Sequence, residues 1–346
     1  MKESILQYFG FSGGTAVVIP IQQGLINHTW KVTAGNEHFI LQRVNEKVFQ
    51  HPFDIAHNTS FIGEHLAVHH PDYYFVNALP PKNSPVMLHD KEEGYFRLLP
   101  FVRGSHAKTV AATPEQAYEA ALQFGRFTAV CKGLDCSKLK ITIPSFHNLS
   151  LYHKKYRDAV VNGEPSRIKE ASDLTKQLNE WSFIVDEYEK ICEDPEFRQR
   201  VTHHDTKISN VLFNEDDKGI CVIDLDTVMP GYFISDAGDM LRTCLSPVSE
   251  EETDLQQVEV RNDYYTAIRD GYMKEMHPHL SNTERESFFF SGLFMTYMQA
   301  IRFLTDHLSN DVYYGAAYPG HNLNRAKNQA VLLQLMIENE KELVKR

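Results

Sequence analysis

The chain has 346 residues, enough for one large domain or two lobes around a sizeable core. It is 42% hydrophobic and carries a formal net charge of -11, which argues against nucleic-acid binding by bulk electrostatics, since phosphate is met by Lys and Arg. Five cysteines without framework spacing fit a reduced, cytoplasmic protein; Cys131 and Cys136 are the closest pair, no second pair answers them, and a zinc site is not expected.

In chain order, the opening MKESILQYFGFSGG lacks the apolar core and cleavage site of a signal peptide. The first hundred residues then read as β-rich. TAVVIP (15–20) is a strand, QQGLINH (22–28) is turn chemistry, and TWKVTA (29–34) and HFILQRV (38–44) form a pair joined by GNE. PFDIAHNTSFIGEHLAVHH (52–70) reads as a helix, and SPVMLHD and GYFRLLPFV (94–102) as two more strands. Beyond that the pattern turns helical. TPEQAYEAALQFGRFTAV opens with Thr113 as N-cap, Pro114 at the first helical position and Gln116 to complete a capping box. Further helices are expected at about 150–160, 166–192, 251–274, 284–308 and 322–344, the fourth opening with a capping box from Thr283 to Glu286. FFFSGLFMTYMQAIRFL (288–304) is too short and too interrupted for a membrane span and reads as a buried helix. A small β-rich lobe, 1–102, would therefore precede a larger helical lobe, 103–346.

The hairpin at 201–228 interrupts the helices and concentrates acid among apolar residues. VTHHDTKISNVLF contains His203-x-Asp205-x-x-x-x-Asn210, the Asp–Asn spacing of a kinase catalytic loop. The turn NEDDKG and the strand ICVIDLD follow, ending at Asp224. That order places a metal-binding Asp beside a catalytic loop. Transferred phosphate brings several negative oxygens, and Mg²⁺, which takes oxygen ligands, would neutralise them through Asn210 and Asp224. Asp205 would face the acceptor hydroxyl and take its proton late. Two rivals stand beside this reading: a solvated acidic hairpin, and a metallohydrolase built on HHD. Burial among Val, Ile and Leu disfavours the first, and the lack of further spaced histidines disfavours the second.

Other kinase parts can be sought independently. QQGLINHTWKV would form the hairpin over the ATP phosphates, with Gly24 for the close turn and Asn27 to present donors; an ordinary hairpin turn is the plainer alternative. Arg43, in FILQRVN, stands where a kinase carries the lysine for the α/β-phosphates, or is a surface strand residue. Glu64 is the one acid in the later part of the following helix, and Lys207 could reach the γ-phosphate. Arg302 lies in a helix apolar nearly all round, so its charge needs either an i,i+4 partner in Asp306 or a place facing a substrate cleft. FHN at 146–148 either lines that cleft or is a packed Phe with a capping His. Asp236 and Asp239 are expected to brace the catalytic loop.

With these residues in hand, the chain resembles the aminoglycoside phosphotransferase-like branch of the protein-kinase-like fold. It is most similar there to the N-acetylhexosamine 1-kinases. GLINHTWKV, FILQRVN, IPSFHNL, HHDTKISNVLF, CVIDLDTVMPG, SDAGDMLRT, IRFLTDHL and GHNLNR carry the likeness, across nearly the whole chain. The resemblance implies an α+β bilobal fold, with a small antiparallel-sheet N-lobe and a larger, mainly helical C-lobe. It implies ATP and Mg²⁺, Asp205 as base, and Asn210 and Asp224 as metal ligands. Backbone groups near Phe101 and Val102 would meet adenine, and Arg302, with Arg242 and Asp306, would hold a sugar. Arg43 departs from the general lysine pattern, though the nearer family shares an arginine there. Rivals are a kinase of the same fold acting on choline, homoserine or an aminoglycoside, and a catalytically silent sugar or nucleotide sensor. Neither a nucleic-acid nor a membrane partner is expected.

Overall fold

Alternating side chains give the first hundred residues a sheet with two unlike faces. The computed structural model describes residues 3–11, 16–21, 26–81 and 86–344. Helix α1 (Glu3–Tyr8) precedes strands β1 (Ala16–Ile21), β2 (His28–Ala34) and β3 (Glu37–Arg43); helix α2 (Pro52–His69), β4 (Leu88–Asp90) and β5 (Gly94–Pro100) follow. The strands pair antiparallel in the order β1-β2-β3-β5-β4. One face buries Val32, Leu41, Phe96 and Leu98 against Ile5 of α1. The other presents Thr29, Ile40, Gln42, Arg97 and Leu99 to a cleft. Helix α2 follows the expected span, but Ile62 and Leu66 join the core of the helical part, and Asn58 donates to the carbonyls of Lys140 and Val228.

After β5 the chain passes through Phe101 and Val102 to β6 (His106–Ala107), which pairs with a later hairpin. Helix α3 (Pro114–Val130) starts as expected, with Thr113 Oγ1 accepting from the Gln116 amide. The Gln116 side chain turns elsewhere, to the Ala112 amide and Asp217, so the box is not reciprocal. Helix α4 (Leu149–Asn162) is capped by Asn148. The single helix expected at 166–192 is three: α5 (Pro165–Glu170), α6 (Ser172–Glu180) and α7 (Phe183–Glu193), broken at Ala171 and Trp181. Then come β7 (Arg200–Thr202), β8 (Val211–Phe213), β9 (Gly219–Val222) and β10 (Met229–Gly231). β6, β8 and β9 form one small sheet, and β7 with β10 another.

Helix α8 (Phe233–Cys244) leads to α9 (Asn262–Met276). The expected start of that helix at 251 fails for a reason of charge. Glu250 is drawn to Arg242 and Arg325, and Arg261 donates to the carbonyls of Cys244, Leu245 and Ser246. Helix α10 (Asn282–Glu286) carries a capping box two residues earlier than expected, Ser281 with Glu284. Glu284 also meets Arg200 at 2.8 Å. Helix α11 (Phe288–Leu308) is buried on all sides, packed by α4, α7, α8 and α12 (His321–Leu343). Phe294, Tyr297, Met298, Ile301 and Phe303 are fully inside, each such apolar side chain contributing about 1.5–3 kcal/mol. No described helix is long and apolar enough to cross a membrane.

Candidate active site

Two carboxylates from α8 shape the loop between β7 and β8. Asp236 accepts the amides of His203 and His204 at 3.0 and 2.7 Å, and Asp239 accepts the Thr206 amide at 2.8 Å. Thr206 Oγ1 returns a bond to the Asp236 carbonyl, and Thr227 Oγ1 donates to the His203 carbonyl. Burial pushes the Asp236 carboxyl up to about 7, against the pull of its two amide bonds. This is the bracing expected of Asp236 and Asp239. The histidines of HHD are spent internally. His203 bonds the Ile223 carbonyl and meets the edges of Phe124 and Phe127, while His204 Nδ1 lies 3.3 Å from His147 Nδ1.

The loop brings Asp205, Lys207 and Asn210 together. Asp205 Oδ2 accepts from Lys207 Nζ and from Asn210 Nδ2, each at 2.9 Å. Burial raises the Asp205 carboxyl, but the Lys207 ammonium and these hydrogen bonds prevail and hold it below the ordinary carboxylate range. Asn210 Nδ2 also donates to the Asp205 carbonyl, which leaves Asn210 Oδ1 as an outward acceptor. Asp224 ends the approach from β9 in the left-handed region, φ 61°, where Asp is one of the few side chains tolerated. Desolvation, with the charges of Asp226 and Asp205 close by, pushes Asp224 up to about 7. A crowded carboxylate beside a free amide oxygen is a donor set suited to a hard divalent cation.

Lys207, Asn210 and Asp224 line a cleft of about 610 Å³, the size of a small-ligand site. Phe101 and Val102 line it too, with Ile40, Leu99, Leu212 and Ile223 as apolar walls. Gly24 lies outside the described residues. Asn27 lines the cleft, but its amide donates to Asp226 Oδ2 at 2.7 Å and so ties the segment before β2 to the turn after Asp224. Arg43 requires a correction. The cleft-facing residues of β3 are Ile40 and Gln42, so alternation turns Arg43 to the opposite face, where it pairs in register with Phe96 and lies beside Gly94. Glu64 is exposed on α2. The cations on the cleft side of this sheet are Arg97 of β5, which lines the cleft, and Lys31 of β2, paired in register with Ile40 and 4.6 Å from the centre of the Phe101 ring.

A second group of residues surrounds Arg302 of α11. Arg302 is 9% exposed, and its guanidinium sits 4.6, 5.5 and 5.9 Å from the ring centres of Tyr152, Tyr314 and Phe146. Nη1 donates to Gln299 Oε1 at 3.2 Å, and among the described residues no carboxylate pairs with it. Asp306 is not its partner. That carboxylate accepts the amides of Tyr313 and Tyr314 at 2.7 and 2.9 Å and the Asn322 side chain at 3.1 Å, anchoring the segment between α11 and α12. With its oxygens taken up by that segment, Asp306 acts as a support for Tyr313 and Tyr314. Arg242 is likewise engaged, by Asp239 at 3.0 Å and Glu250 at 2.6 Å. Phe146 stacks on His147, and Asn148 of the same motif caps α4.

A family model described as the phosphotransferase enzyme family matches residues 17–272. The chain belongs to that family. Solved structures share the fold at low identity. A microcompartment-associated aminopropanol kinase is 15% identical with a TM-score of 0.63, covering 99% of this chain and 98% of its own. A choline kinase from Cryptosporidium parvum is 12% identical with a TM-score of 0.56, covering 97% and 92%. An amicoumacin kinase, solved with AMP-PNP and Ca²⁺, is 12% identical with a TM-score of 0.62, covering 99% and 94%.

The sequence reading missed two groupings. Gln42, Arg97 and Asp226 form one group across strands and across the fold, and Tyr152, Gln299 and Tyr314 lie around the Arg302 guanidinium. Arg97 left one visible signal, a charge at an alternate position of the otherwise apolar strand GYFRLLP.

Proposed function

We propose that this phosphotransferase uses ATP and Mg²⁺ to phosphorylate a hydroxyl of a neutral sugar, the anomeric hydroxyl of an N-acetylhexosamine being the best-supported case. Asn210 and Asp224 would hold Mg²⁺, whose charge offsets that of the phosphate oxygens. Asp205, kept ionised by Lys207 and Asn210, accepts a hydrogen bond from the acceptor hydroxyl and takes its proton as the new bond forms. Lys207, half exposed, balances Asp205 and extends toward the phosphate. Phe101 and Val102 lead the small lobe, 1–102, into the large one and offer backbone groups to adenine. The reading places the enzyme in the cytoplasm.

Arg302 carries the choice of acceptor. Quaternary ammonium groups are bound inside aromatic cages. Here the rings of Phe146, Tyr152 and Tyr314 already surround the protein's own guanidinium. A buried cation without a carboxylate repels choline, aminopropanol or an aminoglycoside, and suits a hydroxyl, carbonyl or amide oxygen. A net-neutral amino acid alcohol such as homoserine, whose carboxylate could meet Arg302, is the second reading. A panel of N-acetylhexosamines, homoserine, choline and an aminoglycoside with Mg-ATP would separate them, scored by ADP release and by the phosphorylated position. Turnover of choline above the sugars would sink the proposal.

A further inference from the structure

The sheet face that lines the cleft needs a cation for nucleotide phosphate, and its β3 position holds Gln42 instead. Opposite Gln42 in register stands Arg97 of β5. Its Nε and Nη2 donate to Gln42 Oε1 at 2.9 and 2.8 Å, and its Nη1 meets Asp226 Oδ1 at 2.5 Å. Two of the five guanidinium N–H groups are hydrogen-bonded to Gln42 and Nη1 is ion-paired with Asp226, so N–H groups remain for a ligand. The side chain is 5% exposed and lines the cleft. Its place along the cleft is set by two markers. Four strand residues at about 3.3 Å each put it roughly 13 Å from Phe101. Its carboxylate partner follows the candidate metal ligand Asp224 by two residues. Lys31 of β2 stands over the Phe101 ring, 4.6 Å from its centre, and two other lysines line the cleft in ion pairs. Lys108 is paired with Asp217 at 2.6 Å, and Lys207 with Asp205.

We infer that Arg97 is the small lobe's phosphate-binding cation, oriented by Gln42 and held at the phosphate end of the cleft by Asp226. A guanidinium suits this place better than an ammonium, because its planar fork can keep Gln42 on one edge and meet two phosphate oxygens with the other. The inference rests on the ATP-using reading above. It assigns the charge to a strand and a residue that the lysine pattern would not select.

The test compares two folded variants. Asp226→Asn removes the carboxylate and leaves Arg97. Arg97→Met with Asp226→Asn removes both charges, so neither is stranded in the interior. Calorimetry would measure adenosine, ADP and ATP with Mg²⁺ on each. ADP and ATP should bind about 10–150-fold more weakly to the double variant than to Asp226→Asn, with adenosine equal in both. Arg97→Lys on the Asp226→Asn background should recover part of the loss. Equal ATP affinity in the two variants would overturn the assignment, as would an equal loss for adenosine, the mark of a residue that only shapes the cleft. A wild-type chain indifferent to ATP would sink nucleotide use as well, whereas either of the former results sinks Arg97 alone.

Discussion

Replacing Arg302 by methionine removes the charge and keeps an unbranched side chain among the same rings. If the guanidinium donates to a sugar oxygen, that oxygen loses a charged partner worth about 1.5–3 kcal/mol, and kcat/KM for the sugar falls roughly 10–150-fold. The stability change is small by a separate argument. Three ring contacts, at 4.6, 5.5 and 5.9 Å, are each worth about 0.5–2 kcal/mol. Burying an ion without a carboxylate partner costs several kcal/mol in the opposite sense, and methionine sulfur itself packs well on aromatic rings. Asp306 is not stranded, because its oxygens stay bound to the Tyr313 and Tyr314 amides. The melting temperature should therefore move by only a few degrees. The assay is initial-rate kinetics against sugar at saturating ATP, with ATP affinity and melting temperature measured on the same sample. A specificity constant within twofold of wild type in a fully folded variant would refute the reasoning. So would a collapse in melting temperature, which would make Arg302 a structural cation.

Asp205→Asn should lower kcat by about 10²–10⁴-fold with nucleotide affinity little changed, and near-normal turnover in a clean preparation would remove Asp205 as the base. Asp236→Asn replaces one of two acceptor oxygens with a donor, so one of the His203 and His204 amides loses its partner. Stability should drop by about 1–3 kcal/mol in urea unfolding and kcat should fall with it; a variant with wild-type stability would contradict the bracing role. Burial holds the His204 imidazole down to about 3, so between that value and 6.5 the unfolded chain binds more protons than the folded one. Stability should thus fall as the pH drops through 6.5, by roughly 1.4 kcal/mol per unit for this residue. His204→Asn, which tolerates the local φ of 66°, should flatten that slope in urea titrations at pH 7, 6 and 5, and an unchanged slope would exclude His204 as its source.

What could be read in advance was what local chemistry controls. Alternation marked β2, β3 and β5, Thr113 and Pro114 marked the start of α3, and the Asp205–Asn210–Asp224 order marked a segment that reaches the cleft. Parity along a strand was the first thing out of reach. Gln42 and Arg43 are neighbours, and their sequence alone does not tell which faces the cleft; register with β2 and β5 decides it. Pairing across long separations was the second. Arg97 and Asp226 meet through the closure of the whole fold. Arg302 and Asp306 have the spacing of a helix pair, yet each finds a stronger claim, one among aromatic rings and the other on backbone amides of a later segment. The helix predicted from 251 failed likewise, because Glu250 answers two arginines distant in the chain.

The grip of Asp306 has a consequence for how this enzyme could change its diet. It holds the segment after α11 by main-chain amides, and Asn322 adds a bond to the Gly315 carbonyl. Every residue type but proline offers such an amide. The side chains from 312 to 318, apart from Gly315 with its φ of 72°, can therefore be exchanged while the path of the segment stays put, as if a wall were repapered without moving its studs. A library randomised there, with Asp306 and Asn322 untouched and proline left out at 313 and 314, should yield many folded, ATP-competent enzymes that differ in the alcohols they accept. New specificities would then arise by drift in six positions, with the residues proposed for phosphoryl transfer between β7 and α8 inherited intact.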